Sequence, residues 1–461
     1  MMNEKTTEEL QDSLAQAKMM IEDLIKNKEY DSALEKINDI REHGNSSDFL
    51  DILEVEIYDK LKNFDQSVDL LTRMASSHPS DPSIIARLIV ALARSGEMER
   101  ADDTAQAFLS HFGSNEELDL AYAFAPSYVG ELQEAYVRLS TFRRRYPLSR
   151  SGLRRIGDVA RRLYRFDEAI AALDELMEKH PKVRGVTIAL RDRLHVFRRA
   201  QSIRSTEREK SGQKCSMEIY VINMDHDARR MAIVRQWYAR IGLSVTRIGA
   251  VRARYLPAYA LSRLSKDSRI AVGTLGCFLS HISAWEAVRV SGKPGLILED
   301  DARPMFIFSA DSACIDGLDK CDVCFVNERM TPKSIDNAVR GERIATLPIR
   351  DIIRSRSPAQ RGVGCDGYIL TPAGAEKLLK FVEADGISGH VDFQLLSYCA
   401  RIEYLEGLSA SGFFFSQLER YVKRRDPRHQ LTAISTALPF VREEDLGYSA
   451  RNSEHVIMAQ S

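Results

Sequence analysis

The chain has 461 residues, 44% of them hydrophobic and 28% charged, with 25 Gly and 14 Pro. That composition supports packed cores and excludes a disordered, collagen-like or linker-dominated protein. With 65 Lys/Arg against 66 Asp/Glu, the balance argues against a dedicated nucleic-acid binder, and no nucleic-acid partner is expected. Seven cysteines fit a reducing compartment better than a disulfide scaffold. The start lacks the features of a signal peptide, and no stretch of about 18 apolar residues occurs. A soluble cytoplasmic protein of two or three domains is the expectation.

Residues 1 to about 205 carry helical periodicity. Within them a short pattern recurs in which an aromatic residue or Gly precedes an acid and then a small residue. The small residue falls at Ala33, Ser67, Ala101, Ala135 and Ala169, a step of 34 residues four times in succession. Twelve residues after each come Asn45, Pro79, Gly113, Pro147 and Pro181, all turn formers or helix terminators. This resembles the tetratricopeptide repeat, a 34-residue unit of paired antiparallel helices in which a small side chain permits close approach. The resemblance covers roughly 14–183. It departs at the first-helix small position, which is large at Ile21, Val55 and Ile89 and small only at Ala123 and Gly157. Residues 184–205 are expected to form a capping helix, so that the repeat domain spans 1–205.

Between 141 and 210 there are 19 Lys/Arg against nine Asp/Glu. An acidic partner or the anionic inner face of a membrane would suit such a surface; so would a solvated helix face that balances the acidic N-terminus. Both readings stand.

From Met217 the period changes. Residues 217–223 read as a buried strand, 226–242 as an amphipathic helix and 244–251 as a second strand, a β-α-β opening. A helix capped near Gly273 and Thr274 and stopped at Gly292 follows, then an apolar strand ending in Glu299, Asp300 and Asp301. Further strands at CDVCFVNE and GVGCDGYILT and a helix from Thr371-Pro372 predict a mostly parallel sheet. The stretches 331–361 and 420–461 read as loops, with a C-terminal tail from 441 to 461.

Three adjacent acids at a strand end repel one another unless a cation or hydrogen-bond donors compensate. In extended backbone, residues i and i+2 share a face, so Glu299 and Asp301 would flank one cation while Asp300 turns away. Hard oxygen ligands suit Mg2+ or Mn2+, ions that keep positions open for substrate phosphates.

The series Val221-Ile222-Asn223-Met224-Asp225 with Arg229-Arg230, Gly276-Cys277-Phe278-Leu279-Ser280-His281 with Ala284-Trp285-Glu286, and Leu296-Ile297-Leu298-Glu299-Asp300-Asp301 resembles glycosyltransferase family 25. Gly367-Tyr368-Ile369-Leu370, Gly374 to Leu379 and Val391-Asp392 match its second half. That family includes lipopolysaccharide and collagen galactosyltransferases. The resemblance implies an α + α/β protein, in which a helical tetratricopeptide-like solenoid precedes a GT-A, Rossmann-like transferase domain over about 215–440. It implies inverting transfer of a hexose, often galactose, from a UDP-sugar, with Mn2+ or Mg2+ on Glu299 and Asp301. Asn223, Arg229, Arg230, His281 and Asp300 would serve the nucleotide-sugar. Asp392 would be the general base, with Asp366 its competitor; Asp392 also stands where a helix cap is favoured. His281 reads equally as a residue steadying the acidic loop, and the two arginines as exposed helix residues. Met224-Asp225-His226-Asp227 is more acidic than the family's usual basic run.

Cys321 and Cys324 form a C-x-x-C with no partner pair at zinc spacing. The leading functional reading is a cytoplasmic transferase, peripheral at the inner membrane face, that glycosylates a lipopolysaccharide or other surface-glycan acceptor and uses its repeats to dock the acceptor or a protein partner. The alternatives are a protein-acceptor transferase that reads its target through the repeats, and a degenerate domain serving as a binding scaffold.

Overall fold

The 34-residue period of the sequence is carried into the backbone. In a computed structural model, which describes residues 16–42, 48–203, 216–252, 263–265, 269–332, 335, 337–356, 362–408, 412–444, 446 and 456–458, helices pair in succession. They are α1 (16–27) with α2 (Tyr30–Glu42), α3 (Asp48–Leu61) with α4 (Phe64–Ser77), α5 (Pro82–Ser95) with α6 (Met98–Phe112), α7 (Glu116–Phe124) with α8 (Leu132–Arg145), and α9 (Arg150–Arg162) with α10 (Phe166–Lys179). The second helices begin at 30, 64, 98, 132 and 166, so each small residue is the fourth of its helix. Ala33, Ser67, Ala101, Ala135 and Ala169 are all fully buried, as a close helix crossing requires. The turn within each pair repeats too: Lys28, Lys62, Gly96, Gly130 and Tyr164 all have positive φ. Glycine takes that conformation freely at 96 and 130, whereas Lys28, Lys62 and Tyr164 bear a strain of about 1 kcal/mol each. Side chains lace adjacent units together: Arg138 holds Asp102 through two bonds of 2.6 and 2.9 Å, and Arg94 pairs with Asp59 at 3.2 Å. Asn45 lies outside the described residues.

The basic region is partly neutralised within its own unit. Arg145 pairs with Asp119, Arg161 with Asp158 and Arg165 with Glu168. Among the described residues, no helix is long and apolar enough to cross a membrane.

The chain divides into two compact units between Thr187 and Ile188, inside α11 (Arg184–Gln201), rather than at 205. The helix expected as a repeat cap gives its second half to the C-terminal unit, because its apolar residues pack there. Phe197 stacks on Phe306 at 5.9 Å, and Arg193 pairs with Glu328 at 2.7 Å. A fragment beginning at Ile188 is therefore expected to melt as this unit does in the full chain. One beginning at residue 206 should lose about 3 kcal/mol or more through removal of Phe197. Calorimetry of the two fragments decides the point; equal melting temperatures would place the boundary back at 205.

The C-terminal unit contains β1 (Glu218–Asn223), α12 (Ala228–Arg240), β2 (Thr246–Gly249), β3 (Arg269–Ala271), α13 (Val272–Ser291), β4 (Gly295–Glu299), β5 (Ala302–Pro304) and β6 (Val323–Phe325). It continues through β7 (Val339–Arg340), β8 (Arg343–Ile344), β9 (Thr346–Pro348), α14 (Ile349–Ser355), β10 (Gly367–Leu370), α15 (Pro372–Asp385), α16 (Val391–Cys399), α17 (Phe413–Arg424), β11 (Ala433–Thr436), β12 (Val441–Glu443) and β13 (Val456–Met458). Seven strands form the central sheet in the order β2-β1-β4-β10-β6-β11-β9. β1 is parallel to both β2 and β4, while β10 runs antiparallel to β4 and β6. β11 is parallel to β6 and antiparallel to β9. The mostly parallel sheet expected from sequence is thus corrected to a mixed one. β10 is buried throughout, and a wholly apolar strand signals burial without signalling direction.

The expected loops are corrected as well. Residues 331–361 contain α14 and the edge strand β9, and 420–461 contains β11, inserted between β6 and β9, and β12, paired with β5. Cys321 lies two residues before β6 and Cys324 within it, both buried; burial pushes the Cys321 thiol up to about 12 and also raises that of Cys324. Neither is a reactive thiol.

Candidate functional site

β4 ends at Glu299, and the chain turns over Asp300 and Asp301 before β5 begins. The extended backbone from which a shared face for Glu299 and Asp301 is expected gives way there to a turn. Asp300 and Asp301 instead share one guanidinium: Arg230 Nη2 lies 2.8 Å from Asp300 Oδ1 and 3.0 Å from Asp301 Oδ2. Arg230 is held in place by Asp227, the N-cap of α12, whose carboxylate accepts the Arg230 N–H at 3.2 Å. Asn223 closes β1 next to the turn because the register pairs Ile222 with Glu299. Its amide donates to Asp300 Oδ2 at 2.8 Å and to the Asp227 carbonyl at 3.1 Å. Arg247 of β2 donates to the side-chain oxygen of Asn223 at 3.0 Å and to its carbonyl at 2.9 Å, and pairs with Asp225.

Glu299 reaches α13, where His281 Nε2 is 3.6 Å from its Oε1. The other ring nitrogen of His281 is 2.9 Å from the Tyr368 hydroxyl, which also accepts the Trp285 indole N–H at 2.7 Å. These three side chains are fully buried. Glu286 pairs with Arg289 at 2.8 Å and forms no dyad with His281, as their five-residue spacing dictates.

A second set of charges converges from β6, β10 and β12. Asp366 is 3% exposed, and neither of its carboxylate oxygens makes a hydrogen bond. Arg329 Nη2 stands 3.7 Å away and also pairs with Glu443. Burial pushes Asp366 up to about 7, with Arg329 opposing and Glu299 adding to the rise. Burial and the Glu299 charge likewise raise Asp301, whose Oδ1 is buried without a hydrogen bond. Asp392 is the second residue of α16, half-buried, and accepts the Phe393 N–H at 2.9 Å and the Gly364 N–H at 3.4 Å. The cap position belongs to His390, so Asp392 does not cap the helix.

Gly364 separates these groups by its conformation. Its φ is +72°, and a Cβ there would lie 2.2 Å from Asp366 Oδ1 and 3.0 Å from the Arg329 guanidinium. Asn327, fully buried, donates to the Gly364 carbonyl at 2.7 Å. Gly364→Ala is therefore expected to destabilise the unit by about 2–3 kcal/mol through strain and clash combined, measured as a lower urea midpoint. An unchanged midpoint would show that the loop relaxes freely.

The structure thus gathers Asn223, Arg230, His281, Glu299, Asp300, Asp301 and Asp366, and joins Asp392 to them through Gly364. Arg229 is exposed in the first turn of α12, and among the described residues no hydrogen bond or ion pair joins it to these groups. Sequence reasoning missed Arg247, Asn327, Arg329 and Arg356. Arg356 is buried, donates to the Arg329 carbonyl at 2.9 Å and lies over the Phe414 ring at 4.1 Å; burial pulls it down to about 10. The signal for Arg247 was a charge inside a strand, and for Asn327 and Arg329 a polar pair directly after an apolar strand.

Residues 216–393 match the model described as glycosyltransferase family 25 (LPS biosynthesis protein), a span that contains every one of these predicted site residues. Over that span the chain is similar to glycosyltransferase family 25. A tetratricopeptide repeat model matches residues 152–182, from α9 through α10 and just beyond it. A glycosyltransferase 25 family member of Anopheles gambiae is 26% identical over 180 residues, which cover 35% of this chain and 28% of that protein. The match therefore spans under a third of that relative's length. Solved structures similar to this chain include a thermophilic TPR protein of Thermus thermophilus, at 16% identity and a TM-score of 0.32, covering 40% of this chain and 98% of that one. PilW, a type IV pilus biogenesis factor, is similar at 14% identity and a TM-score of 0.31, covering 39% and 81%.

The acidic first motif of this region has a local explanation. Asp225 binds Arg247 and Asp227 caps α12, so both acids are consumed by neighbours. The family's usual divalent cation can be tested against the donors. Glu299, Asp301 and Asp366 offer hard oxygens, two of these groups have buried oxygens without hydrogen bonds, and Arg230 and Arg329 offset only part of the negative charge. That donor set fits a hard cation. Asp301 and Glu299 would hold it, with Asp366 adjoining.

Proposed function

We propose that this protein transfers a hexose, with galactose the first candidate, from a UDP-sugar to a surface-glycan or lipopolysaccharide-type acceptor with inversion at the anomeric carbon. The family 25 domain supports glycosyltransferase activity. The observation that carries the reading further is the acidic turn at the C-terminal end of β4, where a buried oxygen of Asp301, and both oxygens of Asp366 just before β10, make no hydrogen bond, at the edge where open α/β sheets bind nucleotides. A GT-A arrangement accords with a sheet opening β-α-β and delivering acids at that edge.

Transfer breaks the bond between the anomeric carbon and the diphosphate and forms one to the acceptor oxygen, whose proton must leave. Asp392 is assigned as the base: it is the half-buried member of the pair, held by two backbone N–H groups at the start of a helix that favours its anion. Asp366, buried against Arg329, positions that arginine. Mn2+ or Mg2+, when bound, would stabilise the charge on the departing diphosphate. Arg230 and Asn223 fix the acidic turn against β1.

The repeats fit a partner-docking role. A cavity of about 220 Å³ is lined by the first helices of four consecutive repeats, with Val90, Phe124 and Tyr128 beside Arg87 and Arg155. An extended acceptor or protein segment would suit it.

The test is thermal shift of the full chain with UDP, UDP-galactose, UDP-glucose and UDP-N-acetylglucosamine, with and without Mn2+, on wild type and Asp301→Ala. Mn2+-dependent stabilisation by one UDP-sugar, lost in the variant, supports the reading and names the donor. Absence of any shift in folded wild type would favour a scaffold whose domain only binds partners.

A further inference from the structure

The helix that steadies the acidic turn holds a second set of donors. Cys277 and His281 are four residues apart on α13 and so project on one face. The Cys277 sulfur, a ring nitrogen of His281 and a carboxylate oxygen of Glu299 all lie within 4.8 Å of one another. His281 is fully buried, and its Nε2 makes no hydrogen bond, although it points at Glu299 from 3.6 Å. A buried imidazole nitrogen left unbonded is costly unless something fills the gap. The far side of the ring is already fixed as metal-binding histidines are fixed, by the Tyr368 hydroxyl at 2.9 Å, which Trp285 holds in turn.

We propose that Cys277, His281 and Glu299 form a three-ligand site for a borderline divalent cation, Zn2+ or Co2+, with one coordination position open to water or a substrate oxygen. A sulfur, a nitrogen and a carboxylate oxygen match the ligand preferences of such ions, whereas Mn2+ and Mg2+ favour oxygen alone. Three protein ligands also distinguish an open site from the closed four-ligand sites that only hold a fold. Binding releases the Cys277 thiol proton to solvent, leaving thiolate on the metal. The site shares Glu299 with the proposed diphosphate site but does not depend on sugar transfer.

The experiment titrates Co2+ into chelator-stripped full-length protein and reads the thiolate-to-cobalt charge-transfer band together with visible bands of four-coordinate intensity. Wild type should show both, and Zn2+ should erase them. Cys277→Ser should abolish the charge-transfer band and weaken binding at least tenfold, while Asp301→Asn retains it. A folded wild type with no such band, or a band that survives Cys277→Ser, overturns the proposal. Should Cys277→Ser fail to fold, zinc-edge X-ray absorption of wild type decides instead: one sulfur at about 2.3 Å beside nitrogen at about 2.0 Å supports it, and a shell without sulfur overturns it. A cobalt band in a protein that no UDP-sugar stabilises would sink the transferase reading and leave this one standing.

Discussion

Asp301→Asn is expected to lower UDP-sugar turnover about a hundred- to a thousandfold while making the folded C-terminal unit more stable above neutral pH. The two effects have one source. Burial and the nearby Glu299 charge raise the Asp301 carboxyl above its ordinary range, so the folded state resists the ionisation that a cation site needs. An acid raised in this way binds protons in the folded chain that the unfolded chain has already lost. Stability therefore falls as pH rises from the ordinary carboxylate value of 3.8 through the raised folded value of Asp301. Asparagine keeps the hydrogen bond to Arg230 without the charge. The variant should gain about 1–2 kcal/mol at pH 8 and almost nothing at pH 4, or about 2–4 °C in melting temperature for each kcal/mol. Differential scanning calorimetry at the two pH values measures it. Equal gains at both would show that Asp301 is not charge-strained, and retained turnover would remove it from the site.

Arg230→Met should be the most damaging single change on the stability side. Arg230 is mostly buried and bridges Asp300 and Asp301 with one guanidinium. Its loss leaves two buried carboxylates facing each other and Glu299, a penalty of about 3–5 kcal/mol. Arg230→Lys should recover only part, since an ammonium is a point charge without the planar fork. Combining Arg230→Met with Asp300→Asn should restore more than either single change predicts, because one of the stranded charges goes with it. Both tryptophans, Trp237 and Trp285, lie in this unit, so urea denaturation followed by their fluorescence reports its stability. A midpoint shift smaller than that of an exposed arginine, such as Arg229, would mean that the bridge contributes nothing.

The repeat array was legible in sequence because its unit is set by spacing: five small residues 34 apart became five buried helix crossings. The acidic turn was legible because an apolar strand running into three acids has few uses. The geometry within that turn was not. Strand alternation predicts a shared face for Glu299 and Asp301 only if the strand continues, and nothing local says that it stops at Glu299. Arg329 and Glu443 meet across more than a hundred residues of chain, and no periodicity records such a meeting. The direction of β10 was equally hidden, since its four buried residues would read the same in a parallel or an antiparallel strand. α11 was misassigned because an amphipathic helix shows that it has an apolar face without showing which core receives it.

The insertion of β11 between β6 and β9 has a consequence for synthesis. Residues 433–436 leave the ribosome well after their partners, pairing with strands made about 90 to 110 residues earlier. The repeats, built from neighbours in sequence, form while the chain is still growing, whereas the sheet must keep β6 and β9 unjoined until residue 436 has been made. A ribosome that stalls or terminates before residue 433 would release a finished array tethered to an open sheet with two unsatisfied strand edges, the kind of product that chaperones retain and proteases remove.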